Sequence, residues 1–273
     1  MGRTGVAVRG GKAMNIYILG SASGVQPSYR RRYTSWVLEE PDGQYLLFDV
    51  GAGTPPAAYC LGLDFLKWKA VFISHGHPDH TFGLPELIQH IKKQQWMTSE
   101  CTQHLDLPIY TASPELVDAC NIFMDAAWDY DCLHLKTHLL SSGEIYKDDY
   151  LSIDCTPTLH RNYRYGKPYC YGFRVRLDNG KNIVYTGDFK ALSEFDAWME
   201  QPCHLLLIET GHHRACELCR GIRERNWPVE KILFVHHGLD YLNNPSFEKA
   251  EADRAWGGDT VFAEDSMVYP LPW

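Results

Sequence analysis

Short apolar runs rich in β-branched and aromatic residues recur along the chain, divided by turn residues and by longer stretches with helical spacing. Asn15–Gly20 reads as a strand, and Ser21-Ala22-Ser23-Gly24 as the turn after it. Residues 33–39 and 44–49 form two further strands around Pro41-Asp42-Gly43, where Asp-Gly supplies a hairpin turn. Residues 50–54 then make a loop of small residues. Periodicity predicts helices over residues 57–68, 84–95 and 114–128, with Pro85 in a first turn and Ser113 as an N-cap. Between them, residues 70–74 and 107–111 read as buried strands. The second half repeats the style. Strands are expected at 151–155, 169–177, 182–186, 204–208 and 231–235, with a hairpin turn at Asp178-Asn179-Gly180. Helices are expected at 214–225 and 246–255. Strand-rich halves with intervening helices define a layered α/β fold.

The chain has 273 residues, 45% of them hydrophobic, enough for a substantial core. With no linker, fixed-period repeat or low-complexity tract, residues 14–273 are expected to form one domain. Residues 1–13 carry glycines and basic residues without an apolar segment and are expected to be a disordered tail rather than a secretory signal. No apolar run approaches the ~20 residues of a membrane span. Nine scattered cysteines with no regular framework suggest a reducing, cytoplasmic setting. Cys216-Glu217-Leu218-Cys219 is a lone CxxC without a second ligand pair, read as a helix surface carrying two thiols. The formal net charge of −8 disfavours a protein that lives on nucleic acid. The one basic run, Arg30-Arg31-Arg32, reads as a solvated loop, with a phosphate-directed loop as the alternative.

One hexapeptide dominates the chemistry. His75-Gly76-His77-Pro78-Asp79-His80 follows the apolar run Ala70-Val71-Phe72-Ile73. Three imidazoles and a carboxylate at this density have few uses besides holding metal. His75 and His77, at alternate positions, can face one ion, which leaves Asp79 and His80 for a second. Further ligands are expected at strand ends: His160 after strand 151–155, Asp188 in Thr186-Gly187-Asp188, and His236 at the end of strand 231–235. His236 is favoured over its neighbour His237, which is left to a supporting or substrate-facing role.

These residues, in this order, resemble the metallo-β-lactamase superfamily of metallohydrolases, whose HxHxDH motif stands here as His75, His77, Asp79 and His80. Leu19-Gly20-Ser21-Ala22-Ser23-Gly24-Val25 and Phe48-Asp49-Val50-Gly51 resemble its RNase Z and phosphodiesterase branch. The resemblance covers residues 14 to about 240. It implies a four-layer αββα sandwich and two divalent ions. It implies His75, His77 and His160 on one ion, Asp79, His80 and His236 on the other, and Asp188 bridging. Zinc is the first expectation, with manganese and iron as alternatives. Asp49 is implied to orient the histidine loop by hydrogen bonds. A histidine near residues 212–213 is implied in proton transfer; His212 is expected to protonate the leaving group, with His213 as the other candidate.

The reaction expected is hydrolysis by a hydroxide shared between the ions, Asp79 holding or accepting its proton. The branch tilts the substrate toward phosphodiesters; a lactone, another ester or a thioester, or a non-catalytic sensing role, are the alternatives. His160 and Asp188 stand only 28 positions apart, leaving no room for the long tRNA-binding arm of RNase Z enzymes. A small-molecule or nucleotide substrate is therefore expected over tRNA, with no membrane partner and a homodimer admitted. The aromatics Trp96, Phe123, Trp128 and Tyr130 are assigned to core packing or a lid.

Overall fold

Strands β1 (Asn15–Gly20), β2 (Ser35–Glu39), β3 (Tyr45–Phe48), β4 (Trp68–Phe72), β5 (Leu105–Thr111) and β6 (Leu133–Leu139) build the first sheet in chain order. The second sheet runs in chain order through β7 (Gly143–Lys147), β8 (Leu151–Thr158), β9 (Cys170–Leu177), β10 (Asn182–Tyr185), β11 (Leu205–Thr210), β12 (Ile232–His237) and β13 (Val261–Phe262). The last strand, β14 (Val268–Pro270), returns to the first sheet beside β1, so each sheet has seven strands. The computed structural model describes residues 14–25, 30–99, 104–128, 132–160 and 168–272. The expected tail 1–13 and Tyr130 lie outside them.

Period-two alternation gives the inner strands two buried faces. In β3, Leu46 and Phe48 point between the sheets, while Tyr45 and Leu47 point to the helices. The layer between the sheets joins Ile16, Ile18, Trp36 and Phe72 of the first to Ile153, Phe173, Val175, Leu207 and Leu233 of the second. Trp36, Phe48 and Phe72 stack in series there, at centroid distances of 4.0 and 5.0 Å. Helices α1 (Thr54–Cys60), α3 (Leu84–Ser99) and α4 (Pro114–Ala127) cover the outer face of the first sheet, through residues such as Ala57, Leu87, Ile88 and Val117. A short α2 (Pro78–Thr81) precedes α3. Helices α5 (Ala215–Glu224), α6 (Leu239–Asn243) and α7 (Pro245–Trp256) cover the second sheet with Leu218, Ile222, Tyr241 and Ala252. The result is the expected αββα sandwich.

Several boundaries move for identifiable reasons. The helix expected over residues 57–68 stops at Cys60. Gly62 turns the chain at φ 74°, Asp64 caps a tight turn over Phe65–Lys67, and Trp68 already begins β4. Strand β8 runs on to Thr158 through Pro157. Its partner β7 ends its pairing at Cys155, so the missing N–H of the proline breaks no ladder. Ser113 stands at the N-cap of α4, but its hydroxyl makes no capping bond. Strands β6 and β7, absent from the sequence reading, are sheet edges with mostly exposed side chains, so they lack a clear apolar face. The CxxC reading is corrected. Cys216 and Cys219 are both buried on α5, and Cys219 packs into the core beneath the second sheet as an ordinary apolar side chain.

The end of the sandwich away from the β3–β4 carboxyl edge carries a buried charge cluster. Lys69 of β4 bonds both Glu40, 2.6 Å away, and Asp148, which also accepts from the Tyr146 hydroxyl. Burial pushes the Glu40 carboxyl up to about 8, only partly offset by Lys69. For Asp148, burial is outweighed by Lys69 and the Tyr150 amide, which bring it down to about 2. The folded protein therefore keeps a proton on Glu40 that the unfolded chain releases above its usual 4.5, so this contribution to stability is lost as pH rises toward 8. Glu40→Gln is expected to flatten that dependence: by pH 9 its melting temperature should have fallen about 2–4 °C less than that of the native protein, a difference of about 1 kcal/mol. Melting curves from pH 6 to 9 check this, and parallel curves would contradict it.

Candidate metal centre

The histidine loop is set by the strand before it and the short helix after it. β4 ends at Phe72, Ile73 still bonds to Tyr110 of β5, and Ser74 to His77 then lie across the sheet edge. Pro78 occupies the first helical position of α2, where its missing N–H costs nothing. One turn of helix puts Asp79 and His80 beside His75. Thr81 fixes the turn by donating its hydroxyl to the His77 carbonyl, 2.9 Å away.

The other strand-end residues converge on the same rim. His75, His77, His160 and Asp188 each offer one ligand atom, all within 4.8 Å of one another; Asp79, His80 and His236 form a second group by the same measure. Asp188 stands between them. Its Oδ2 lies 3.6 Å from His75 Nε2 and 3.5 Å from His160 Nε2, while its Oδ1 lies 3.5 Å from His80 Nε2 and 3.4 Å from His236 Nε2. Asp79 Oδ2 is 3.2 Å from His236 Nε2 and 3.6 Å from His80 Nε2. Two atoms each bound to one tetrahedral ion at ~2.1 Å stand about 3.4 Å apart, so these separations suit shared cations. Asp188 Oδ1 and His160 Nε2 are buried and without a hydrogen-bond partner among the described residues, as expected of atoms kept for a metal.

Backbone details make the fit possible. His236 adopts φ 50°, unusual for a residue with a side chain, which turns its ring back toward Asp79. Gly211 faces that ring, and a Cβ there would stand 2.4 Å from His236 Nδ1. Likewise a Cβ on Gly24 would meet the Asp79 carboxyl carbon at 2.8 Å. Gly24, read from the sequence as part of a turn, and Gly211 thus leave room for ligating side chains.

The electrostatics separate the two histidine groups. Burial, with the neighbouring imidazoles, holds His75 well below its ordinary value, and the same causes bring His160 down to about 4. Both are thus neutral imidazoles, the form that binds metal. His80 and His236 are buried as well, but carboxylates outweigh the burial and raise them: Asp49 and Asp188 for His80, Asp188, Asp79 and Glu209 for His236. Burial would raise Asp79, yet its histidine neighbours hold it well below the usual carboxylate range. For Asp188 burial prevails and raises it. Negative side chains thus concentrate around the second group, where a cation would replace the protons.

The supporting residues divide. Asp49 is fully buried and bonds His80 Nδ1 at 2.8 Å. His237 lies differently from a ligand: its ring bonds Thr210 Oγ1 at 2.9 Å and the Ala263 carbonyl at 2.9 Å, tying β12 to β11 and to the segment after β13. Burial lowers it to about 3, consistent with a neutral structural imidazole. His212 is about two-fifths exposed and faces the cluster, its ring 4.5 Å from that of His160. His213 turns away, stacking on Phe189 and approaching its carbonyl.

Glu209 went unnoticed in the sequence. Fully buried at the end of β11, it accepts from the His212 amide at 2.8 Å and contacts His212 Nδ1 at 2.9 Å. That contact raises His212 above its ordinary value despite partial burial. An acidic residue directly after the apolar run Leu205-Leu206-Leu207-Ile208 was the available signal, because a buried carboxylate needs a partner. Arg31 and Arg32 do not serve phosphate: they bind Glu264, Asp265, Ser266 and nearby carbonyls, clamping the C-terminal segment onto β1. Trp96 and Phe123 are exposed rather than core; Trp128 packs against the α3–α4 layer and donates to Gln89.

The αββα sandwich with this cluster on its rim is the metallo-β-lactamase fold, and proteins named Ribonuclease Z are among the curated relatives of this chain. Residues 14–214 match the family model described as Anti-Pycsar protein Apyc1, and the chain belongs to that family. Ribonuclease Z of Acaryochloris marina is 29% identical over 159 residues, covering 56% of this chain and 46% of that one. The chain thus spans about half the length of the first curated relatives it matches. Among solved structures, YhfI of Bacillus subtilis superposes with a TM-score of 0.72 at 20% identity, covering 95% of this chain and all of that one. The short form of human tRNase Z gives 0.69 at 20%, with the same coverage. No described helix is long and apolar enough to cross a membrane.

These relatives overturn one expectation. tRNA was set aside on net charge and on the short interval between His160 and Asp188, yet proteins named Ribonuclease Z are among the curated relatives of this chain. The charge argument failed because whole-chain charge says little about the potential at a site built to hold cations. The interval speaks only to one kind of binding arm.

Proposed function

We propose that residues 14–273 form one metal-dependent phosphodiesterase domain with two divalent ions, zinc first among the candidates. His75, His77 and His160 would hold one ion, Asp79, His80 and His236 the other, and Asp188 would serve both. The observation that carries this reading is the Asp188 carboxylate, whose two oxygens each approach a different pair of imidazoles. When bound, such ions lower the pKa of a coordinated water and stabilise charge on a phosphoryl oxygen.

The chain's own residues supply the rest. Asp79, held as a carboxylate, accepts a proton from the attacking water. His212, raised above its ordinary value by Glu209 and open to solvent on one side, donates a proton to the leaving oxygen. Asp49 holds His80 in one orientation. Every one of these tasks suits a phosphodiester, whose leaving alkoxide needs a proton. The test is a hydrolysis panel with protein reconstituted in zinc or manganese: bis-p-nitrophenyl phosphate, linear and cyclic nucleotide phosphodiesters, a 3′-extended tRNA precursor, lactones and thioesters. Metal-dependent cleavage among the phosphodiesters is expected. Robust lactone or thioester turnover with no phosphodiester cleaved would overturn the reading.

A further inference from the structure

The Asp49 carboxylate is an unusually crowded acceptor. Its Oδ1 receives the Ser74 amide at 2.7 Å. Its Oδ2 receives the Ser74 hydroxyl at 2.9 Å and the Tyr185 hydroxyl at 2.6 Å, and meets His80 Nδ1 at 2.8 Å. Asp49 also sits at φ 55°, a left-handed conformation that a side-chain-bearing residue keeps only when its surroundings fix it. Ser74 and His80 belong to the loop and helix following β4. Among the described side chains meeting this carboxylate, Tyr185 alone comes from the second sheet, at the end of β10.

We propose that Tyr185 is a positioning residue for the metal centre: its hydroxyl locks Asp49 across the two sheets, and Asp49 in turn fixes the His80 ring with Nδ1 as donor and Nε2 presented to the metal. The inference rests on the metal reading of the site given above. The Tyr185 phenol donates to Asp49 Oδ2, and burial beside Asp49 raises Tyr185 well above its ordinary value, so it remains a donor. With Oδ2 receiving Tyr185 and Ser74, the carboxylate stays an acceptor and His80 Nδ1 must carry its proton. His80 Nε2 then faces Asp79, Asp188 and His236 with a free lone pair. The Tyr185 ring is itself held, fully buried and packed edge-on against Trp36 at 5.5 Å. Sheet-to-sheet spacing is thereby transmitted to one ligand of one ion.

Tyr185→Phe keeps the ring and removes only the hydroxyl. Tyr171→Phe is the matched control, because Tyr171 is also buried between the sheets but donates to the Leu140 carbonyl and not to Asp49. Cobalt(II) titration of full-length, metal-stripped protein, followed by its visible absorption, reads both affinity and coordination. Tyr185→Phe is expected to weaken one of two cobalt sites about 10–100-fold and change its ligand-field bands, while Tyr171→Phe leaves both sites as in the native protein. Melting of the metal-free forms checks that the two variants are equally folded. Native cobalt affinity and spectrum in Tyr185→Phe, or the same change in Tyr171→Phe, would overturn the proposal. Native protein that took up no cobalt would overturn the metal reading, and this inference with it.

Discussion

Replacing Asp188 with alanine is expected to lower phosphodiester turnover by about a thousandfold or more, with loss of bound metal. The magnitude follows from what a Lewis-acid centre supplies, several kcal/mol of transition-state stabilisation, at 1.36 kcal/mol for each tenfold in rate. The direction follows from geometry. Asp188 is the carboxylate that approaches His75 and His160 through one oxygen and His80 and His236 through the other. Without it the imidazoles remain, but the negative charge that favours two cations side by side is reduced. Metal content and turnover, measured together on Asp188→Ala, check this. A variant that kept both its ions and its rate would show that Asp188 bridges nothing.

His212→Ala is expected to cost about 10²–10⁴ in turnover on substrates with alkoxide leaving groups, with metal content unchanged. On bis-p-nitrophenyl phosphate the loss should be far smaller, because nitrophenolate departs without needing a proton. That contrast separates proton donation from metal binding, and the separation matters here: His212 Nδ1 lies 3.9 Å from Asp188 Oδ2, and His212 groups with Asp188 and His236 as a third candidate ligand set. The bond from His212 to Glu209 favours the acid role, since it commits Nδ1 to the carboxylate. Equal losses on both substrates, accompanied by metal loss, would make His212 a ligand instead.

The centre was legible where local density or strand ends carried the signal. Three imidazoles and a carboxylate within six residues announced themselves, and His160, Asp188 and His236 stood at or just beyond strands that periodicity could find. Glu209 was missed because its partner, His212, is a local neighbour only once β11 ends and the chain folds back. Tyr185 was missed because a tyrosine in an apolar strand reads as core, and only the sheet-on-sheet packing brings its hydroxyl to Asp49. His237 shows the reverse: adjacent in sequence to a proposed ligand, it is pointed away by strand alternation and serves the sheet. Among the folding elements, the buried strands were readable and the edges β6 and β7 were not, because edge strands need pairing partners rather than an apolar face.

Elemental analysis of the full-length protein, stripped of metal, reconstituted with zinc and freed of excess, tests the account most directly. Two ions per chain are predicted, falling together when Asp188 is replaced. A stoichiometry of one ion or fewer in the native protein would contradict a site in which a single carboxylate serves two cations.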